Sequence, residues 1–566
     1  MAKDKQNLLY YFLASTLILA GVGGGGYFCC VSILMSVMLM SVIVYILEKS
    51  GSFFIAYDIN LAAVASLAAG YFLTSLWAVD SWMALTGGIK FLPVFLFFFL
   101  ICQSLESREK LIRLLPLLGS LMTLFSFVMM QFTVFQMYVS VAGRLAGFFQ
   151  YPNTYAIFML VCMVTAVYML DLKKIDWMCA VHIFAALAGI YLSGSRTVLV
   201  LAVFAILLIL GSRRELLKYG IIGLGLIIAL AVILALCGYG AGVFSRFVSM
   251  AENSSTFWGR LLYARDALKM IVKYPLGMGY YGYYFVQQEW QTGVYSVVNV
   301  HNELIQLILD IGIAPAFLMY GAILRSVLSK TISERNRLIL LLILLHSLFD
   351  YDFQFIVMYF VLLLFLELRN VQKVRISVLS KATAVAALLG AVWAFASVGL
   401  SDYFYIKGNP QKAVQSYDGN TMAKIELLKE SGSAEEMAEL ADSILEVNRH
   451  VSVAYSAKAR AAFSEGDVEA FIKYKLIAIQ MAPYQYEEYT DYLDSLVYCT
   501  KLYLQADDME SAEFCVEQAE KIPKMLEEVG ERTSSLGWRI KDRPKAALSQ
   551  KDLERIEEMR SRIENE

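Results

Sequence analysis

Several things are scarce in this 566-residue sequence, and each scarcity narrows what the chain can be. Only 17% of residues are charged, against about 25% in an ordinary soluble domain, while 58% are hydrophobic. A soluble protein throughout is excluded, and lipid is called for as the solvent of much of the chain. The weak alternating segments of a membrane β-barrel are missing. Apolar residues come instead in long uncharged runs, such as 114–138 and 219–237, and roughly 20 such residues span a bilayer as a helix. A clear small-residue cleavage site is missing after the apolar stretch 8–28, and another apolar run follows at once. That stretch therefore reads as a first membrane helix rather than a signal peptide. Metal-ligand spacing is missing among the eight cysteines. Cys29, Cys30, Cys102, Cys162, Cys179 and Cys237 lie in or beside apolar segments and read as inert thiols. Cys499 and Cys515 lie near the end of the chain, where pairing between them stays open. No metal, cofactor or nucleic-acid partner is expected. Histidine is also scarce: of four, His182 within a span and His450 near the end read as structural, which leaves His301 and His346.

What is present is a run of about thirteen spans. They fall at roughly 8–26, 29–47, 53–77, 82–103, 114–138, 153–170, 177–193, 197–211, 217–237, 301–324, 338–350, 354–368 and 379–400. Every second loop is rich in Lys and Arg, from Lys3 and Lys5 through Arg108, Lys173, Lys174, Arg213 and Lys218 to Arg335 and Arg369, which makes that side cytoplasmic. The opposite side receives 139–152, the Ser193–Arg196 turn, the long 238–300 loop, the Asp350–Phe353 turn and everything after 400. The long loop carries Arg246, Arg260 and Arg265, which the charge rule tolerates in long loops. The domains predicted are a membrane part, 1–400, and a soluble helical part, 401–566. The fold class is all-α: a polytopic bundle followed by a helical-repeat domain. Residues 401–566 carry 32 acidic against 21 basic residues. Within them 448–483 reads as one helical hairpin of the tetratricopeptide kind, with Ala461, Ala462, Gly466, Asp467, Ala470 and Ala478 where that repeat wants small and turn residues. A second, degenerate unit spans 485–523, ending at Pro523. Such repeats offer a concave surface to a partner, here an envelope protein.

Residues able to carry chemistry gather on the predicted outer face. Gly143 to Asn153 runs Gly-Arg-Leu-Ala-Gly-Phe-Phe-Gln-Tyr-Pro-Asn just before a span. Ser193-Gly194-Ser195-Arg196 is a polar break between two apolar helices. Trp258-Gly259-Arg260 precedes Pro275-Leu276-Gly277-Met278-Gly279, and His301-Asn302-Glu303 opens a span that also holds Gln306, Asp310 and Gly312. His346 and Asp350 form a fifth, weaker set. A guanidinium is always charged and grips phosphate oxygens in a two-pronged way. Arg144, Arg196 and Arg260 are thus candidates to hold a diphosphate at headgroup level, stabilising charge as it departs. A neutral His301 imidazole is suited to take a proton from an attacking sugar hydroxyl. Asn302 and Glu303 share its first helical turn, and Asn153, His346 and Asp350 are supporting candidates. Taken singly, each has an ordinary structural explanation: a headgroup anchor, a loop charge, a helix cap.

At these residues the sequence resembles the O-antigen ligase and polysaccharide polymerase family of bacterial envelope glycosyltransferases. The likeness rests on the Arg-x-x-Gly…Pro-Asn loop at 144–153, the Ser195-Arg196 pair, and the Pro-x-Gly-x-Gly stretch at 275–279. It also rests on the His-Asn…Gln…Asp-x-Gly segment at 301–312 and on His346-Ser-Leu-Phe-Asp350. It covers roughly 60–370, and some members carry tetratricopeptide-like tails. Asp310 stands where the family usually has Glu. The resemblance implies an inverting, metal-independent transfer of a glycan from a polyprenyl-diphosphate carrier to an acceptor on the outer face of the cytoplasmic membrane. Whether the acceptor is another lipid-linked glycan, a lipid anchor or a protein stays open. Two other readings compete. A transporter of lipid-linked glycans should place charges at mid-membrane, for which Asp58 and Lys90 are the candidates. A scaffold recruiting envelope proteins would need neither so many spans nor clustered arginines.

Overall fold

The computed structural model describes residues 3–171, 177–216 and 255–565, with a few positions between 225 and 236. The 217–237 span and Lys173, Lys174, Lys218, Cys237 and Arg246 lie outside the described side chains. Helices dominate what is described, with two two-stranded pairings beside them. Six helices are long and apolar enough to cross a membrane: Cys29–Lys49, Ile59–Leu76, Ser81–Ile101, Leu105–Met130, Pro152–Met169 and Val378–Ile406. Shorter apolar helices cover Gln6–Val22, Trp177–Ser193, Arg196–Ser212, Ile313–Leu328 and Ile356–Phe365. The chain is a multi-pass membrane protein with an all-α bundle.

Three predicted spans differ in detail, each for a local reason. The fifth begins at Leu105, not at 114, because Ser104 caps it by accepting from Ser107 N. Its charged first turns are held as helix by Glu106–Lys110 and Glu109–Arg113 pairs one turn apart. The third starts at Ile59 rather than 53. Residues Ser52–Ala56 are a strand paired antiparallel with Val371–Arg375. Asp58 caps the helix that follows, accepting from Asn60 N and Leu61 N, so it is no intramembrane charge. The 301–324 span breaks into Glu303–Ile311 and Ile313–Leu328 at Gly312, whose φ is +90°.

The break explains the glycines at 275–279. Interrupting a helix at membrane depth frees carbonyls that water cannot reach. Met278 N donates to Leu309 O at 2.7 Å and Gly279 N to Asp310 O at 3.1 Å, while Ile313 N donates to Pro275 O at 3.0 Å. This contact is backbone against backbone. A Cβ at Gly277 would stand 2.7 Å from Asp310 O, and one at Gly312 would stand 2.8 Å from Leu276 O.

The loops sort onto two faces of the bundle. On one, Arg335 grips Glu109 with two bonds of 3.1 Å, and Arg369 N donates to Asp58 at 2.8 Å. The other face holds the turns around 27, 80, 145, 194 and 350, the 255–301 segment and the C-terminal helices. Two C-terminal helices, Ser452–Glu465 and Val468–Met481, form a helical hairpin, with Gly466 at φ +82° and Asp467 capping through Ala470 N. The next pair is Tyr486–Gln505 and Met509–Arg532. Pro523 does not stop the second of these. Its buried face, Ala519, Ile522, Leu526 and Val529, packs with Tyr492 and Leu496, which outweighs the roughly 3 kcal/mol a helical proline costs.

The C-terminal helices are seated on the bundle by mixed contacts. Asp80, 1% exposed, caps the Ser81–Ile101 helix and also accepts from Thr421 Oγ1 at 2.6 Å and Asn448 Nδ2 at 3.3 Å. Met83 and Phe285 join an apolar cluster with Ile425, Leu428, Ala441 and Ile444. Arg532 donates to Glu289 O at 2.8 Å, and the Arg539 guanidinium lies 4.9 Å from the Trp258 ring centre.

Candidate functional site

The site starts from a tight hairpin. Ser140–Val141 pairs with Arg144–Leu145 across Ala142 and Gly143, which have φ +50° and +72°. Two positive φ values in a two-residue loop match the twist of the flanking strands, which is why Gly143 precedes Arg144. The hairpin fixes Arg144 so that its Nε donates to Ser193 O at 2.7 Å and its Nη2 to Asn153 Oδ1 at 2.7 Å. Further on, Gly147 sits at φ +57°, where a Cβ would meet the Tyr155 ring at 2.5 Å. Pro152 then starts the helix whose first turn presents Asn153 and Thr154.

Both residues reach to the turn after the Glu334–Ser347 helix. Asn153 Nδ2 donates to Asp350 Oδ2 at 2.7 Å, and Thr154 Oγ1 donates to Asp352 Oδ1 at 2.8 Å. Asp350 is the hub. It is 1% exposed and also accepts from Tyr151 OH at 2.6 Å, Arg260 Nη2 at 3.2 Å and His301 Nδ1 at 3.1 Å. Burial alone would raise its carboxyl; the His301 hydrogen bond and the Arg260 charge outweigh that and hold it well below the usual carboxylate range. Burial first, and the Asp350 charge second, push the Tyr151 phenol well above its ordinary value, so it remains a donor.

This arrangement settles the tautomer of His301. An ionised carboxylate has no proton to give, so Nδ1 must carry the hydrogen that joins them. In the neutral ring the lone pair is then on Nε2, which has no partner among the described residues. The ring keeps 20% of its side chain exposed, packs edge-on to Tyr351 at 5.0 Å and lies 6.1 Å from the Tyr263 ring. Arg260 gives one N–H to Asp350 and keeps its Nε buried with no partner among the described residues. A buried donor left unmade costs about 1–3 kcal/mol, so this one is ready for an anionic oxygen.

The other candidates fall into two groups. Arg196 begins the Arg196–Ser212 helix, three residues from the Ser193 carbonyl that holds Arg144. It is half-buried and makes no hydrogen bond or ion pair with the described residues. Asn302 caps its helix through Ile305 N and donates to Leu348 O at 2.9 Å. Glu303 is fully buried, and its carboxylate accepts from Phe353 N at 3.1 Å and Gln354 Nε2 at 3.4 Å. It braces the 350–354 turn from behind and is not open to a ligand. His346, also buried, pairs through Nδ1 with Asp352 Oδ2 at 2.5 Å. Arg144 and Arg260 are thus brought together through Asn153 and Asp350. Tyr151, Thr154, Tyr351 and Asp352 were not singled out from sequence. The only signals for them were a tyrosine and a threonine flanking Pro152-Asn153 and the Asp-Tyr-Asp run at 350–352.

No curated protein and no solved structure matches the chain. Residues 181–320 match the family model described as O-Antigen ligase, a stretch that includes Arg196, Arg260, His301 and the broken helix. Arg144, Asn153, His346 and Asp350 lie outside it, joined to it by the hydrogen bonds of Asp350. The match supports the O-antigen ligase family for this chain, and with it a glycosyltransferase-like ligase or polymerase role on a surface polysaccharide.

Proposed function

We propose that the protein transfers a glycan from a polyprenyl-diphosphate carrier to an acceptor hydroxyl at the outer face of a bacterial cytoplasmic membrane. The observation that carries this reading is the His301–Asp350–Arg260 cluster: a base with its lone pair directed by a buried carboxylate, beside a guanidinium with a donor to spare. In the step we infer, the acceptor oxygen bonds to the anomeric carbon as its proton passes to His301 Nε2. The bond from that carbon to the diphosphate oxygen breaks, and the electron pair leaves with the polyprenyl diphosphate. Attack opposite the leaving group inverts the anomeric centre. Arg260 and Arg196 face the charge growing on the diphosphate, so cations of the protein serve the leaving group without a metal ion. Arg144 acts one step back by holding Asn153, which holds Asp350. The division at about residue 400, and a tetratricopeptide-like role for the later helices in gripping an envelope protein, belong to the same proposal. Transport gains little support, since Asp58 is a helix cap and Lys90 is fully buried against Tyr280.

The deciding experiment gives purified protein a polyprenyl-diphosphate glycan and asks whether product length grows or an added acceptor is modified. Unchanged donor under every acceptor would end the transferase reading. Orientation has its own test. The exposed Gly432, changed to Cys in a background without Cys499 and Cys515, should react with a membrane-impermeant thiol reagent while the cytoplasmic membrane is intact. Labelling only after lysis would put the site on the cytoplasmic side.

A further inference from the structure

A second cavity lies beside the site, and nothing in the proposed reaction uses it. It opens between the turn at Tyr27, the Tyr280–Tyr281 turn and the first C-terminal helices, with about 670 Å³ of empty space, its mouth included. Five tyrosines line it, at 27, 280, 281, 405 and 417, with Asp402 and Asn420 among them.

The cavity is built at conformational cost. Tyr27 follows three successive glycines, Gly24, Gly25 and Gly26, all with positive φ, a run that gives up much chain entropy to be ordered. Tyr281 has φ +65°, a left-handed backbone that side-chain-bearing residues rarely adopt and that clusters at functional sites. Gly87 leaves room for its neighbour, since a Cβ there would stand 2.3 Å from Tyr280 Cβ. Behind the wall, buried Lys90 donates to Tyr280 OH at 2.9 Å and lies 4.7 Å from the Tyr27 ring centre. It clamps the two tyrosines without lining the space.

An aromatic path joins this cavity to the proposed base. The His301 ring lies against Tyr351, Tyr351 stacks with Phe355 at 6.4 Å, and Phe355 is 5.1 Å from the Tyr27 ring. The Tyr27 phenol lies near the Asn299 side chain, two residues before His301. The cavity is thus joined to the base by packed rings, with buried Phe355 between them.

We propose that this cavity is a subsite for a sugar unit of the glycan substrate, closed on one side by residues 402–422, with Tyr281 and Tyr405 stacking on the ring and Asp402, one oxygen of which accepts from Cys30 N at 2.9 Å, taking a hydroxyl with the other. A pyranose has C–H faces that suit tyrosine rings and a rim of hydroxyls that suits phenols and a carboxylate. A diphosphate does not fit the lining, which has a carboxylate and no Lys or Arg. The C-terminal segment is thereby part of substrate binding, and this inference rests on the glycosyltransferase reading.

The test uses the full-length protein in detergent and oligosaccharides released by mild acid from the lipid-linked glycan pool of the producing cells. Binding is measured by ligand-observed NMR, and transfer is measured in parallel. Tyr405→Ala and Asp402→Asn should each weaken oligosaccharide binding about tenfold, while Tyr405→Phe, which keeps the ring, should stay within about twofold. In transfer, KM should rise with kcat little changed. A rise for the donor places a donor sugar in the cavity; a rise for the acceptor places an acceptor sugar there. If either variant melts early, Met422→Trp, which fills the cavity from the C-terminal side, carries the test. No binding to wild type, or equal binding to wild type and to variants that melt normally, overturns the subsite. Binding that depends on Tyr405, without transfer under any condition, keeps the subsite and removes the transferase reading.

Discussion

The His301→Ala protein should reach the membrane at the wild-type level, bind its donor, and transfer glycan about 10²–10⁴-fold more slowly, the contribution of a positioned general base. The expectation comes from the geometry of both ring nitrogens. Nδ1 is engaged by Asp350 at 3.1 Å, so the ring cannot flip without breaking that bond, and Nε2 is the nitrogen left for a substrate. The fold should be kept, because the helix is capped by Asn302 and Asp350 retains donors from Tyr151, Asn153 and Arg260, with the lost His301 bond costing about 1–3 kcal/mol. The loss should fall mainly on kcat, as for an interaction made only in the transition state. Wild-type transfer by His301→Ala at normal protein levels would reduce this residue to a helix-start feature. Glu303 could not inherit the role in the arrangement seen, since its carboxylate is spent on Phe353 N and Gln354.

Much of this arrangement could be read from sequence because lipid imposes a simple rule. A spanning helix needs an uninterrupted apolar run, and runs such as 29–47 and 153–170 coincide with helices Cys29–Lys49 and Pro152–Met169. Position 105 failed the rule because its first turns are charged, and only the pairing of Glu106 with Lys110 and of Glu109 with Arg113 shows them to be helical. The break at Gly312 was invisible for a different reason. Its freed carbonyls are satisfied by Met278 and Gly279, some thirty residues away in sequence, and no local pattern encodes that meeting. Arg144, Arg260 and His301 were legible as residue types suited to phosphate and proton chemistry. Asp350 ranked below them, because a lone acidic residue after an apolar helix looks like a turn. Its importance lies in four side-chain donors from 151, 153, 260 and 301, and only the folded chain brings these together.

Asp350→Asn should therefore be as damaging as the loss of the base, and damaging in two separable ways. The first is to stability. Removing one partner of a buried, hydrogen-bonded ion pair costs roughly 3–5 kcal/mol, because the other partner is left uncompensated. Here Arg260 would lose its counter-charge, and the Asn amide N–H groups would oppose some of the four side-chain donors that now converge. The folded-state carboxyl is depressed, so its stabilisation is present above the unfolded value of about 3.9 and is lost only as pH falls through the lower folded value. The melting temperature in detergent should thus drop at neutral pH, and the gap from wild type should close only in strong acid. The second effect is on transfer. Without the carboxylate, His301 is no longer held in the Nδ1–H tautomer, and the imidazolium formed as the acceptor loses its proton is no longer stabilised. The rate should fall by about 10²–10⁴-fold even where the variant is fully folded. Tyr151→Phe separates the two effects: it removes one donor to Asp350 and keeps the charge, so it should lower stability somewhat and cost far less transfer. An Asp350→Asn protein that melts and transfers like wild type would show that Asp350 does not govern His301. The hydrogen-bonded cluster would then be scaffolding for the turn at 350, and the arginines would be left to act on the diphosphate without a directed base.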